Sequence, residues 1–238
     1  MNLLKEFLLN DKCSYLDNKE QTTHYKVIEN CSADSCQDLI ERGFRRFGKM
    51  YFRPICEGCD ECKSIKIDVE NYHFSKSAKR IMNKGKSLRS YIQRPTLSHE
   101  HLEIFEKYHL HMHEKKGWEY NKTSPDHYYN SFVNGHEDYG YEVLYFLEEK
   151  LIAVDLIDIL EDGISSIYFY YDPDFAKYSL GKLSLYNQIK YAQNAKKKWI
   201  YLGYYVKECP SLSYKAEYKP YLTLEGRPAE QETFKWFY

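Results

Sequence analysis

The sequence predicts a mixed α/β (α+β) fold, and three observations predict it. The chain has 238 residues, 43% of them hydrophobic, enough to bury a large core. Its second half separates into helical and strand-like stretches in the order α-α-β-β-β-α-β. Its first half reads as shorter mixed elements around a loop of cysteines. The break at 94–98 is the candidate boundary between a smaller N-terminal region, 1–95, and a C-terminal domain, 96–238.

In chain order, the first element is a helix over 35–42, with Ser32 or Asp34 as N-cap and Gly43 as its stop. Residues 49–53 and 64–69 alternate like strands on either side of the cysteine loop. A short basic helix over 75–84 is closed by Gly85, and a strand over 88–93 ends before Pro95. Residues 98–116 carry a helical period through Leu102, Phe105, Tyr108, Leu110 and Met112, stopped by Gly117. Ser124 and Pro125 start a further helix, which ends at Gly135. Strands over 141–147, 151–159 and 165–171 follow, joined by turns at 148–150 and 161–163 that suit antiparallel hairpins. A helix from Ser179 to about Ala195 ends in three lysines that complement its dipole, and a strand covers 199–203. That last strand–helix–strand unit must be a right-handed parallel crossover.

Composition narrows the function classes. Hydrophobic residues at 43% and charged residues at 29% are both ordinary for a soluble globular chain and argue against disorder. No apolar run approaches the roughly 20 residues needed to span a bilayer. Residues 1–10 read poorly as a signal peptide, so a cytoplasmic protein is expected. The net charge of −1 hides an asymmetry: residues 41–95 hold fourteen Lys and Arg against six Asp and Glu. A basic block in a neutral protein points to a localised anionic partner. Tyrosine, at 25 residues, is the other excess, and suits a wet rim of the core or stacking platforms for bases.

The cysteines number seven, and a reduced compartment argues against a disulfide framework. Cys56, Cys59 and Cys62 form C-x2-C-x2-C, a spacing that lets thiolates converge on Zn²⁺ or an Fe–S cluster. Cys13 is the best fourth ligand, ahead of Cys31, Cys36, His24 and His73. A packing cluster of free thiols is an equal alternative.

The second-half layout resembles that of GNAT-type acyltransferases, in which a helix N-terminus after the third strand cradles an acyl donor. Here the N–H groups at Leu180, Gly181 and Lys182 occupy that place. Gly181 alone stands where such proteins carry a glycine-rich pyrophosphate loop, which leaves room for an acyl donor other than coenzyme A.

A more specific resemblance rests on blocks spread over most of the chain. CSYL at 13–16, LIERGFRR at 39–46, YFRPICEGCDEC at 51–62 and SKSAKR at 75–80 resemble the N-terminal region of aminoacyl-tRNA–protein transferases. YFYYDPDFAKYSLG at 168–181, YLGY at 201–204 and YKAEYKP at 214–220 resemble their C-terminal region. The compact length is similar to the bacterial aspartate/glutamate leucyltransferase branch. Phe47, Lys66, Ala78 and Gly85 depart from the residues common there. The resemblance implies transfer of one amino acid, leucine before arginine, from aminoacyl-tRNA to an N-terminal Asp or Glu, marking the acceptor for N-end-rule degradation.

Aminolysis of an ester requires no metal, nucleotide or covalent intermediate in principle, so no cofactor is required. The candidate catalytic residues are Tyr168 and Asp172, to orient the amine or relay its proton, and the N–H groups of Leu180 and Gly181, to hold the oxyanion. Arg45, Arg46, Arg53 and Lys66 are candidates to clamp the acceptor carboxylate, with Arg80 behind them. Lys76, Lys79, Arg80 and Lys84 suit tRNA phosphates, and Tyr201, Tyr204 and Lys215 the acceptor-end groove. Two rivals are an acyl-CoA-dependent N-acetyltransferase and a non-catalytic, zinc-dependent RNA-binding module built on the cysteines.

Overall fold

A computed structural model describes residues 1–135 and 138–238, which form two sheets with helices on both faces of the larger one. The smaller sheet has the order β1-β2-β4-β3, from β1 (Asn2–Lys12), β2 (Glu20–Glu29), β3 (Arg45–Phe47) and β4 (Met50–Pro54). Helix α1 (Ala33–Glu41) packs beside it. The sequence did not announce the β1–β2 hairpin. Nearly every residue of β1 is exposed, so it lacks an apolar alternation and is held by its ladder to β2.

The larger sheet has the order β12-β11-β5-β10-β9-β8-β7-β6. Its strands are β5 (Lys63–Asp68), β6 (Arg89–Gln93), β7 (Gly140–Leu147), β8 (Lys150–Ile159), β9 (Gly163–Tyr171), β10 (Trp199–Tyr205), β11 (Tyr221–Leu224) and β12 (Trp236–Phe237). The expected strands 49–53 and 64–69 therefore exist but belong to different sheets, and the cysteine loop is the crossing between them. Both β5 and β6 precede residue 95, so the large sheet runs across the break at 94–98.

Helices α2 (Lys76–Lys84) and α5 (Leu180–Asn194) cover one face of this sheet. Helix α3 (His99–Lys116) and α4 (Pro125–Tyr128), which runs on as a wide turn over Tyr129–Val133, cover the other. Strand β8 shows why: Val154 and Leu156 pack with α3, while Asp155 and Ile157 face α5. Local signals set the helix starts. Ser32, Ser75, Ser98 and Ser124 each accept the N–H of the residue three further on. The parallel pair β9–β10, joined through α5, is the expected crossover.

Gly85 departs from its expected role. Its backbone stays right-handed and the chain continues into one tight turn. Its lack of a side chain serves packing instead, because a Cβ there would lie 2.6 Å from Leu183 of α5.

Candidate functional site

Strands β9 and β10 pair only from Trp199–Gly163 to Tyr201–Ser165 and then part. Arg45 of β3 fills the opening. Its Nη2 donates to the carbonyls of Ser166 at 3.2 Å and Ile167 at 2.9 Å, satisfying the free edge of β9. Gly203 of the YLGY block makes room for it. With φ +74, this residue would place a Cβ 2.0 Å from Arg45 Nη1. Arg45 is half-buried, and its Nε and Nη1 donate to no described residue.

The other cations proposed for the acceptor clamp are committed inside. Arg46, 3% exposed, grips Asp158 with two hydrogen bonds, from Nε at 2.8 Å and from Nη2. Lys66 lies 2.8 Å from both Glu41 oxygens, with the rings of Trp199 and Trp236 at 4.4 and 4.2 Å. Arg53 donates to the carbonyls of Arg42 and Pro228, both at 2.9 Å. The three residues expected in the tRNA groove also turn inward. Tyr201 donates to Glu41, and Tyr204 to the carbonyls of Gly43 and Phe52. Lys215 donates to Tyr204 O at 2.7 Å, and burial, then neighbouring Arg45, holds its pKa well below the usual lysine range.

Tyr168 gains a partner that sequence reasoning missed. His109 Nδ1 donates to Phe105 O at 2.7 Å, so its Nε2 accepts from the Tyr168 hydroxyl, also at 2.7 Å. Burial lowers the His109 pKa and raises that of Tyr168. Tyr168 lines a cleft of about 510 Å³ between the small sheet and α4, with Phe47, Phe105 and Phe132. Asp172 is tied down: Lys107 and Lys150 bind its carboxylate, and it caps the N–H of Asp174. Burial pushes its carboxyl up, but these hydrogen bonds win and hold it below the usual range. Leu180 and Gly181 open α5, where Ser179 sits at φ +54 and makes no side-chain cap. They lie on the α5 face of the sheet, and Tyr168 lies on the α3 face.

A second opening, of about 420 Å³, lies between α2 and α5. Lys79, Lys86 and Lys190 line it with Asn83 and Asn187, and none of these lysines forms an ion pair with a described residue. Lys76, Arg80 and Lys84 stand exposed along the same helix α2.

Cys13, Cys56, Cys59 and Cys62 line one cavity of about 240 Å³ with Arg227. Thr22 N–H donates to Cys56 Sγ at 3.4 Å, and burial pushes the Cys62 thiol up to about 12. Among the described residues, no three His, Cys, Asp or Glu side chains are gathered closely enough to hold a metal ion. Cys31 and Cys36 are in the core beside α1, and His24 pairs with Glu6.

The sequence signature of the N-terminal part of arginine-tRNA-protein transferases matches residues 11–80, and that of their C-terminal part matches residues 100–225. The chain belongs to the arginine-tRNA-protein transferase family. An aspartate/glutamate leucyltransferase of Campylobacter jejuni strain 81-176 is 51% identical over 92% of this chain and 91% of its own. One of Helicobacter hepaticus is 40% identical over 99% and 98%. One of Saccharophagus degradans is 34% identical over 88% of each. The solved structure of FemX aligns at a TM-score of 0.47 and 11% identity, over 77% of this chain and 63% of that one.

In this transferase the motif residues thus divide into inner struts and open surfaces. LIERGFRR and YLGY meet at the seam between the sheets, where Arg45 faces Gly203 and Glu41 faces Tyr201. Asp155, Ser184 and Gln188, joined by hydrogen bonds beneath α5, were missed in the sequence. Their one signal was Asp155 interrupting the apolar run 151–160. No helix among the described residues is long and apolar enough to cross a membrane.

Proposed function

We propose that this aminoacyl-tRNA–protein transferase moves leucine from leucyl-tRNA to proteins that begin with Asp or Glu, marking them for degradation. The observation that carries the reading is the extended match to relatives named aspartate/glutamate leucyltransferases, 51% identical over 92% of the chain. The β9–α5–β10 crossover, with its strands parting beyond Tyr201, supports a GNAT-like catalytic half.

The chemistry fits the segment Ser166–Tyr168 of β9. The acceptor amine attacks the ester carbonyl, a C–N bond forms, and the 3′ oxygen of the tRNA leaves with a proton. An α-amine with a pKa near 7.7–8.0 needs only modest help in losing its proton. Positioning supplies most of the barrier reduction, up to roughly 7–11 kcal/mol. Arg45, with two donor atoms still free of described partners, is the remaining candidate of the four for the acceptor carboxylate. The exposed lysines of α2 and α5 suit the tRNA phosphates.

The test is direct. Labelled leucyl-tRNA and a peptide beginning with Glu should yield a Leu-Glu peptide by mass spectrometry. No transfer from any aminoacyl-tRNA would sink the proposal. Protein stripped of metal by a chelator is expected to stay active, with metal content measured in parallel. Activity that vanishes and returns with zinc or iron would make the cysteine loop essential.

A further inference from the structure

Beneath α5 lies a cavity of about 210 Å³, walled by Val143, Ile157 and Ile164, which shares Tyr145 and Asn187 with the lysine-lined opening. Gln188 lines it. Asp155 stands behind: it pairs across the strands with Val143, so both point to the same sheet face. Gln188 Nε2 donates to Asp155 Oδ2 at 2.8 Å, and the Ser184 hydroxyl donates to the same oxygen. This arrangement leaves two acceptors over. Asp155 Oδ1 and Gln188 Oε1 are buried and have no partner among the described residues. Asp155 is 0% exposed and no Lys or Arg pairs with it, unlike Asp158 three residues on. Orphaned acceptors in such a place are costly unless a ligand supplies the donor.

We propose that this cavity receives the aminoacyl end of the donor, its α-ammonium held by Gln188 Oε1 and Asp155 Oδ1 and its aliphatic side chain lying against Val143, Ile157 and Ile164. The inference rests on the leucyltransferase reading and adds a binding site to it. An ammonium brings positive charge and three N–H donors to two bare acceptors. The apolar wall suits a branched hydrocarbon side chain. Burial pushes the Asp155 carboxyl up to about 6, which still leaves it ionised at neutral pH to meet a cation. The neighbouring opening then places Lys79, Lys86 and Lys190 where the terminal phosphates of the tRNA would follow. Ser166 links this site to Arg45, for its hydroxyl meets Gln188 Nε2 at 3.4 Å and its carbonyl meets Arg45 Nη2 at 3.2 Å. Donor and acceptor ends thus adjoin one residue of β9.

The probe is 3′-leucylamino-3′-deoxyadenosine, a non-hydrolysable mimic of the donor end, titrated calorimetrically into the full chain. Its analogue lacking the α-amine should bind at least tenfold more weakly, and the glycyl analogue on the order of 30-fold more weakly. In Asp155→Asn and Gln188→Met the preference for the leucyl compound over its deaminated form should fall several-fold, with the fold intact by circular dichroism. If Asp155→Asn fails to fold, Gln188→Met carries the test. No binding of the leucyl compound, equal binding of both forms by the unaltered chain, or undiminished discrimination in a folded variant would overturn the proposal and mark the pair as a site for buried water only. A chain that transfers leucine yet fails to discriminate loses this site and keeps its function. One that discriminates and transfers nothing keeps the site and loses the function.

Discussion

Residues 42–66 and residues 76–94 carry seven Lys and Arg each, yet none of the first seven is exposed and all of the second seven are. The first set lies just after α1, on β3, β4 and β5, and in the turn between β3 and β4, at the seam where the two sheets meet. There Arg46 and Lys66 are paired with Asp158 and Glu41, and Arg42 and Arg53 also bind backbone carbonyls. The second set lies on the outer side of α2 and on the edge strand β6. A tally of charge treats the two alike. Packing makes one a structural adhesive and leaves the other open to solvent.

The largest way to break this contrast is Arg46→Ala. It strands the fully buried Asp158 without its cation and should cost about 3–5 kcal/mol in denaturant unfolding. A loss below about 1 kcal/mol would mean that the pair is not structural.

Asp155→Asn sharpens it from the other side, since Asp155 is a buried carboxylate with no cation at all. The groups facing it are Ser184 and Gln188 of α5 and Tyr145 of β7. Burial raises its folded pKa to about 6, above the ordinary aspartate value of 3.8, so ionisation opposes folding. Below about pH 4 the acid is protonated in both states and the penalty vanishes; it grows between pH 4 and 6 and is complete above. The variant should therefore be more stable at pH 7.5, by up to about 3 kcal/mol, and gain little at pH 4. It should also lose transfer, the pattern expected where stability yields to function. Unfolding curves across pH for both proteins check the sign; parallel curves would refute it.

Gly85→Ala should cost about 1–3 kcal/mol by driving α2 off Leu183. A thermal melt tests it, and an unchanged midpoint would show that the helices can part freely.

Smallest in stability is the joint change of Lys79, Lys86 and Lys190 to Ala, expected within about 0.5 kcal/mol of the parent. Its effect belongs to the tRNA. The slope of log affinity against log salt should shallow by roughly 2–3, as three phosphate contacts are lost. An unchanged slope would detach these lysines from the nucleic acid.

Much of the architecture was legible because its causes are local. The serine caps, the stop at Gly117 and the hairpin turns of β7–β9 are decided within a few residues. The β1–β2 hairpin was not legible, because β1 is exposed along nearly its whole length and leaves no apolar period. The site was legible in part. Arg45 and Tyr168 were found through family motifs, and Lys79 through charge. His109 was hidden as one histidine among nine, and Gln188 as a neutral residue on a helix.

By itself the sequence determined where most helices start and stop, the order of elements in the second half, and membership in a transferase family. The tertiary structure alone decided that β4 and β5 enter different sheets, that Arg46 meets an aspartate 112 positions away, and that Asp155 meets none. Caps and periods are settled by neighbours along the chain. The partner of a buried charge is settled by which surfaces close over it, and that depends on contacts no local stretch contains.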